Sequence, residues 1–260
     1  MRIQITLETE RLRLEAPPYS TLQGAIYSRL SPHLFKQVHD IGFHHPYKHK
    51  KVFRLFSISP VFSYACEPEI STANKVTALN YKGNIHFYVS STINGLILDL
   101  KENIEKHGIT FGNKTYKAHC KIIDLPQEID NCKEIVALLK VYDLLITKKT
   151  ENGTKEDVDF FSPDFEEIIY SSLNEKFQTA LHHSLIKPFD LNFKIIEKKL
   201  LKSFVTRLRK NQETYKIYTC NLIIETNPES LNFVFNTGLG RKNTQCMGFV
   251  DILMAYTSQT

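Results

Sequence analysis

The segment from Phe233 to Val250, FVFNTGLGRKNTQCMGFV, constrains this chain more than any other. Pro228-Glu229-Ser230 reads as a helix start, and Leu231, Val234 and Phe235 keep helical spacing. Gly238 falls where a left-handed C-terminal cap belongs. After Gly248 come Phe249, Val250, Ile252 and Leu253, a run too short for anything but a strand. The order is helix, glycine loop, strand. A dinucleotide fingerprint needs strand, glycine turn, helix, and a P-loop ends in Gly-Lys-Ser/Thr, so the segment is neither. Glycine removes the side chain that keeps a phosphate away from main-chain N–H groups, and Arg241 and Lys242 add positive charge. Taken alone, the segment is better read as a helix cap followed by a basic turn.

Upstream, Ile3, Ile5 and Leu7 alternate with polar residues and predict a half-buried first strand. Pro17-Pro18 breaks the chain before a helix carrying Leu22, Ala25, Ile26 and Leu30. Ser31-Pro32 restarts it, Leu34, Phe35 and Val38 form its apolar face, and Gly42 ends it. Residues 52–58 read as a strand. Residues 75–81 and 85–90 bracket Lys82-Gly83-Asn84 as a hairpin. A helix over 93–107 stops at Gly108, and 116–123 returns as a strand. This is the split βαβ order of a ferredoxin-like domain. Past a linker at 125–132 the order roughly recurs: a strand over 135–146, a helix from Ser162-Pro163-Asp164 to about 181, strands over 193–208 and 215–224, then the last helix and strand. The expected boundaries are 1–124 and 133–260.

A chain of 260 residues with a net charge of +5 is only mildly basic, but its charges are segregated along the sequence. From Lys194 to Lys216 there are eight Lys/Arg against two acids, and from Lys36 to Arg54 five against one. Glu151 to Glu175 holds eight acids and one Lys. Such a pattern suits a polyanion-binding face with a solvated acidic side elsewhere, and equally an ordinary patchy surface. The five cysteines include no CxxC pair, so zinc-ribbon and thioredoxin chemistry are not indicated. The alternating N-terminus is no signal peptide, and no apolar run approaches a membrane span. A soluble, cytoplasmic protein is expected.

The glycine segment resembles the C-terminal glycine-rich loop of the repeat-associated RNA-binding superfamily, specifically the CRISPR-associated endoribonucleases that process precursor CRISPR RNA. Gly238, Leu239, Gly240, Lys242, Asn243, Met247 and Gly248 match that pattern, and Cys246 stands where the family usually has glycine. Near the other end, Tyr27, His39 and Lys51 are similar to the family's tyrosine, histidine and lysine in order. The resemblance implies an α+β chain of two tandem ferredoxin-like (RRM-like) domains, CRISPR repeat RNA as partner, and no cofactor or metal. Other CRISPR-associated proteins and a second copy of the chain are further partners in view. It implies Gly238, Gly240, Arg241, Lys242, Asn243 and Gly248 as RNA contacts, and the segregated charge adds Lys199, Lys202, Arg207, Arg209 and Lys210 of the basic stretch. A non-catalytic RNA-binding subunit is the alternative.

RNA is cut without metal when its 2′-hydroxyl attacks the neighbouring phosphorus, given a base, an acid and a cation for the phosphorane charge. The resemblance assigns these tasks to His39, Tyr27 and Lys51. From position alone, His39 is better read as a helix-end histidine on the dipole, and Tyr27 equally well as a core-rim tyrosine. His44 and His45 stay open as the proton-transfer histidine, and Lys50 as the lysine. His44, His45 and His49 lack a neighbouring Asp, Glu or Cys to complete a metal set, and read as a flexible, partly basic loop. Asp157, Asp159 and Asp164 read as solvated, and His182-His183 as a helix cap. Base stacking on the aromatics of 81–88 is a minor reading.

Overall fold

The computed structural model describes residues 1–73, 76–125, 129, 132–150, 152–207 and 214–257. The N-terminal half opens with β1 (Arg2–Leu7), β2 (Arg11–Glu15), α1 (Tyr19–Tyr27) and α2 (Pro32–Phe35), which continues as a π-helical turn over Lys36–Ile41. Short strands follow as β3 (Phe43–His45), β4 (Lys48–Phe53), β5 (Phe56–Ile58), β6 (Phe62–Ser63) and β7 (Glu69–Ala73). The half closes with β8 (Val76–Lys82), β9 (Ile85–Ser91), α3 (Asn94–His107), β10 (Ile109–Phe111), β11 (Lys114–Tyr116) and β12 (Ala118–Ile123). The C-terminal half runs β13 (Ile135–Leu144), β14 (Thr147–Lys149), β15 (Lys155–Asp157), α4 (Phe165–His182), β16 (Phe193–Arg207), β17 (Thr214–Thr226), α5 (Pro228–Thr237) and β18 (Phe249–Thr257).

Period-two alternation builds both sheets. Ile3, Ile5 and Leu7 of β1 and Ile85, Phe87 and Val89 of β9 are fully buried on the face that α3 covers through Leu96, Ile97, Leu100 and Ile104. The main N-terminal sheet has the order β12-β1-β9-β5, antiparallel throughout. The C-terminal sheet has the order β16-β17-β13-β18, again antiparallel. In each half the first strand lies between the third and the fourth, with the second at the edge. That is one ferredoxin-like topology used twice. No helix among the described residues is long and apolar enough to cross a membrane.

Three sequence expectations are corrected. Lys82-Gly83-Asn84 is not a hairpin turn. β8 pairs with β2 (Leu12 opposite Tyr81) in a small three-stranded sheet, β2-β8-β7, while β9 pairs with β1 (Leu7 opposite Ile85), so one long strand pair runs from that sheet into the main N-terminal one. Residues 8–10 face residues 83–84 at the crossing, a bulge in which Gly83 takes φ +70° and its N–H donates to the Glu10 carbonyl at 2.9 Å. The flexible loop expected around His44–His49 is the β3–β4 hairpin, with Phe43 opposite Phe53. The acidic stretch does not lie elsewhere from the basic one. Asp159 pairs with Lys216 at 2.8 Å, and Glu166 with Lys198 at 3.3 Å. Charges segregated in sequence are interleaved in space because α4 and its preceding loop lie against β16 and β17.

The two halves share their interior. Leu145, Tyr215, Ile217, Cys246 and Met247 join the N-terminal core, and Phe43 and Leu55 join the C-terminal one. Arg2 is the buried tie. Its guanidinium donates to the carbonyls of Phe235 and Val250 at 2.6 and 2.7 Å and lies 3.3 Å from the centroid of the Phe235 ring. Burial pulls its pKa down to about 9, with Asp251 opposing the shift. The terminal ammonium of Met1 donates to the Ser91 carbonyl and to Asn236 Oδ1, each at 2.9 Å.

Candidate functional site

The glycine loop between α5 and β18 is knitted from inside. Asn227 caps α5 by accepting from the Ser230 N–H at 2.8 Å, and Gly238 at φ +70° turns the chain out of the helix. The Asn243 amide donates to the carbonyls of Leu239 and Met247 at 2.7 and 2.9 Å. Beneath it, Lys176 of α4 is buried and donates to Asn243 Oδ1 at 2.7 Å and to the Gly238 carbonyl at 2.9 Å. Burial, with the charge of Lys51 adding to it, brings the Lys176 ammonium down to about 7.

The three glycines make room for the protein's own backbone. All three are buried. A Cβ on Gly248 would lie 1.9 Å from the Leu239 carbonyl oxygen, on Gly240 2.5 Å from that of Leu145, and on Gly238 2.6 Å from that of Gly248. Gly238, Gly240, Gly248 and Asn243, read in the sequence as RNA contacts, therefore hold the loop together. Cys246, in the place of a family glycine, takes the left-handed conformation at φ +59° and is fully buried. Arg241, Lys242, Thr244 and Gln245 remain partly exposed on the loop. Arg241 donates to Thr147 Oγ1 at 2.6 Å, and the Lys242 ammonium lies 4.5 Å from the Tyr215 ring centroid.

At the rim of this loop the structure brings two of the expected residues together. The imidazole of His39 stacks on Phe35 (centroids 4.7 Å apart, planes 15° apart) and meets the Tyr27 ring edge-on at 4.8 Å. The π-helical turn over Lys36–Ile41 carries His39, a device that often marks functional positions in helices. His39 Nδ1 is 2.8 Å from Asp40 Oδ1, and the side chain remains 46% exposed. Tyr27 is buried at the seam, and that burial raises its pKa against the opposing pull of Arg54, Gln23 and Thr244. Gln23 in turn donates to Thr244 Oγ1 at 3.0 Å, which ties α1 to the glycine loop. Arg54 reaches back to the His39 carbonyl at 2.9 Å.

Lys51 lies apart from this pair in its bonding. With Lys48 it ion-pairs to Glu175 of α4, and burial lowers its pKa despite the carboxylate. The three make one wall of a groove of about 850 Å³ between the β3–β4 hairpin and the C-terminal half, with Lys50, Lys149 and Arg241 also lining it. Of the alternatives, His44 Nδ1 is 3.1 Å from the His49 carbonyl, and His45 is buried and accepts the Tyr47 N–H at 3.1 Å. Lys199 and Lys202 are exposed on β16, with Lys202 over the Phe204 ring at 5.3 Å. Arg207 ends that strand, and Arg209 and Lys210 lie outside the described residues. Sequence reading missed Lys176, Glu175 and Arg54. Nothing local marks them, because each acts through a partner distant in the chain.

The chain folds as two tandem ferredoxin-like domains that meet at the glycine loop. Residues 140–252 match the family described as CRISPR associated protein Cas6, C-terminal. The fold extends that likeness to the whole chain. A solved structure of a "CRISPR associated protein Cas6" superposes with a TM-score of 0.67 at 20% identity, covering 98% of this chain and 99% of the other. "An RAMP protein binding different RNA substrates" gives 0.64 at 16%, covering 98% and 100%. A Cas6-related protein from Pyrococcus furiosus gives 0.63 at 16%, covering 97% and 99%. No curated protein matches the chain in sequence.

Proposed function

We propose that this chain is an endoribonuclease that cuts CRISPR repeat RNA to release guide RNAs. It does so without metal, through attack of a 2′-oxygen on the adjacent phosphorus to leave a 2′,3′-cyclic phosphate and a 5′-hydroxyl. The observation that carries the reading is the ring contact of Tyr27 and His39 at the rim of a Cas6-type glycine loop. Asp40 takes Nδ1 of His39 and leaves Nε2 for substrate, so the imidazole is oriented for proton transfer from a partly exposed position. Tyr27, kept a neutral phenol by burial, serves as a hydrogen-bond donor or acid and not as a base. Arg54 behind the pair and Lys51 in the adjoining groove supply positive charge for the phosphorane. Partners beyond the RNA are other CRISPR-associated proteins, with a second copy of the chain also in view.

The test is incubation of the pure protein with labelled repeat RNA in EDTA. Cleavage should persist, end in a cyclic phosphate, and stop when the 2′-hydroxyl at the scissile nucleotide is replaced by hydrogen. Cutting of the 2′-deoxy substrate would sink the internal-attack mechanism. Tight binding without any cutting of the normal repeat would turn the reading to the non-catalytic RNA-binding subunit.

A further inference from the structure

Glu175 has a bonding pattern that the cleavage reading does not use. It lies on α4 beside Lys176, which faces the other way into the glycine loop. Its side chain is only 12% exposed, and each carboxylate oxygen holds one lysine of the opposite half, Lys48 on Oε1 and Lys51 on Oε2. Burial pushes its carboxyl up, but the hydrogen bonds from Lys48 and Lys51 prevail and hold it below the usual range. Arg241 of the glycine loop lies within electrostatic reach of the same carboxylate and is fixed by its bond to Thr147 Oγ1. Three cations, two from the β3–β4 hairpin and one from the glycine loop, thus converge on one internal anion at the wall of an open groove.

A carboxylate and a phosphodiester have the same unit charge and two equivalent oxygens, and both accept one donor on each. We propose that Lys48, Lys51 and Arg241 form a phosphate subsite of the groove, and that Glu175 is its built-in counter-ion, displaced by a backbone phosphate of the bound RNA. In the free protein the carboxylate keeps like charges assembled at a spacing fit for an anion. On binding, one anion replaces another, so the cations need not be gathered afresh. The exchange weakens binding, because the protein's own carboxylate competes for the lysines. It also releases Lys51, which the cleavage reading needs at the phosphate and which Glu175 occupies in the free state. The inference rests on the RNA reading of the preceding section.

Glu175→Gln keeps the shape and removes the charge. Its affinity for repeat RNA carrying a 2′-deoxy scissile nucleotide should be ~10-fold tighter than wild type at low salt. The slope of log affinity against log salt should steepen by about 0.7–0.9, the contribution of one cation whose charge the protein's own carboxylate no longer offsets. Glu175→Asp, which keeps the charge, should retain the wild-type slope, and equal melting temperatures would show that all three proteins are folded. Weaker binding by Glu175→Gln, or an unchanged affinity and slope, would make Glu175 a mere anchor of the β3–β4 hairpin and overturn the proposal. If the wild type ignores repeat RNA altogether, the RNA reading fails instead. The subsite is then judged with inorganic tripolyphosphate, which should raise the melting temperature of Glu175→Gln more than that of wild type; an equal rise would refute it.

Discussion

The glycine loop and the Tyr27–His39 rim lie side by side and are built on opposite principles. In the loop, polar groups are spent inward: the Asn243 amide on two carbonyls, its oxygen on Lys176, the Arg241 N–H on the Leu145 carbonyl at 3.0 Å. At the rim they are presented outward, with His39 nearly half exposed on a π-helical turn and held by Asp40, Phe35 and the Tyr27 ring. Backbone geometry that tolerates one residue type leaves a motif. Chemistry that needs only a titratable group within reach leaves almost none. The recognisable stretch of this chain is therefore its framework, and the proposed reactive part is carried by residues with little local signature.

The sharpest way to break that contrast is Gly248→Val. A Cβ there lies 1.9 Å from a backbone oxygen, at φ +67°, so neither a rotamer change nor a small shift relieves it. The loss of folding stability should be on the order of 4 kcal/mol, the range reserved for such backbone conflicts. Chemical denaturation measures it, and a wild-type midpoint would return the glycine to the role of an RNA-contacting residue. Arg241→Ala with Lys242→Ala, by contrast, should leave folding nearly intact and flatten the salt dependence of RNA binding by about one unit for each phosphate no longer neutralised.

The rim should give the mirror image. His39→Ala is expected to leave the melting curve and RNA affinity in place while slowing cleavage by ~100-fold, the low end for losing one proton-transfer group. At 1.36 kcal/mol per tenfold that is about 2.7 kcal/mol, all of it in the transition state. A variant that cuts like wild type would move the role to another group. His44 is exposed and hydrogen-bonded to the His49 carbonyl, whereas His45 is buried with its pKa lowered by desolvation. His44 would then be tested first.

How much was legible follows the same division. The strands over Phe193–Arg207 and Thr214–Thr226 and the helices Phe165–His182 and Pro228–Thr237 stand close to where apolar periodicity puts them, because each buries a regular face. The β8–β9 segment misled because Lys-Gly-Asn carries the same local signal whether the glycine closes a hairpin or eases a bulge. Only the pairing with β1 and β2, far upstream in the chain, decides between them. Charge runs misled for a related reason: a one-dimensional tally cannot see that Asp159 and Glu166 fold back onto Lys216 and Lys198. Tyr27 and His39 were named through family likeness, and their ring contact required the π-turn that no residue pattern announces. Lys176, at the centre of the loop, looked like one more polar residue of a long helix.

That lysine gives the smallest and most discriminating test, since it belongs to the framework but titrates like part of a site. Lys176→Met removes the donors to Gly238 and Asn243 and leaves two buried oxygens bare, a cost of ~1–3 kcal/mol for the unmade bonds. The size should depend on pH in a definite direction. The folded-state pKa, about 7, lies below the ordinary 10.5 that the unfolded chain displays. Below pH 7 the lysine is charged in both states, and its burial penalty is fully present. Between pH 7 and about 10.5 the unfolded chain binds the additional proton, so the stability of the wild type rises with pH through that window. The neutral amine still has two N–H groups for its two acceptors, so the loop keeps its bonds as the charge is lost. Unfolding free energies measured from pH 6.5 to 9.5 should therefore show wild type gaining on Lys176→Met as pH increases. Parallel curves would mean that Lys176 keeps an ordinary pKa, with its charge met by water or by a shift of Glu175. The loop would then be solvated at its base, and the contrast between a sealed framework and an open rim would fail.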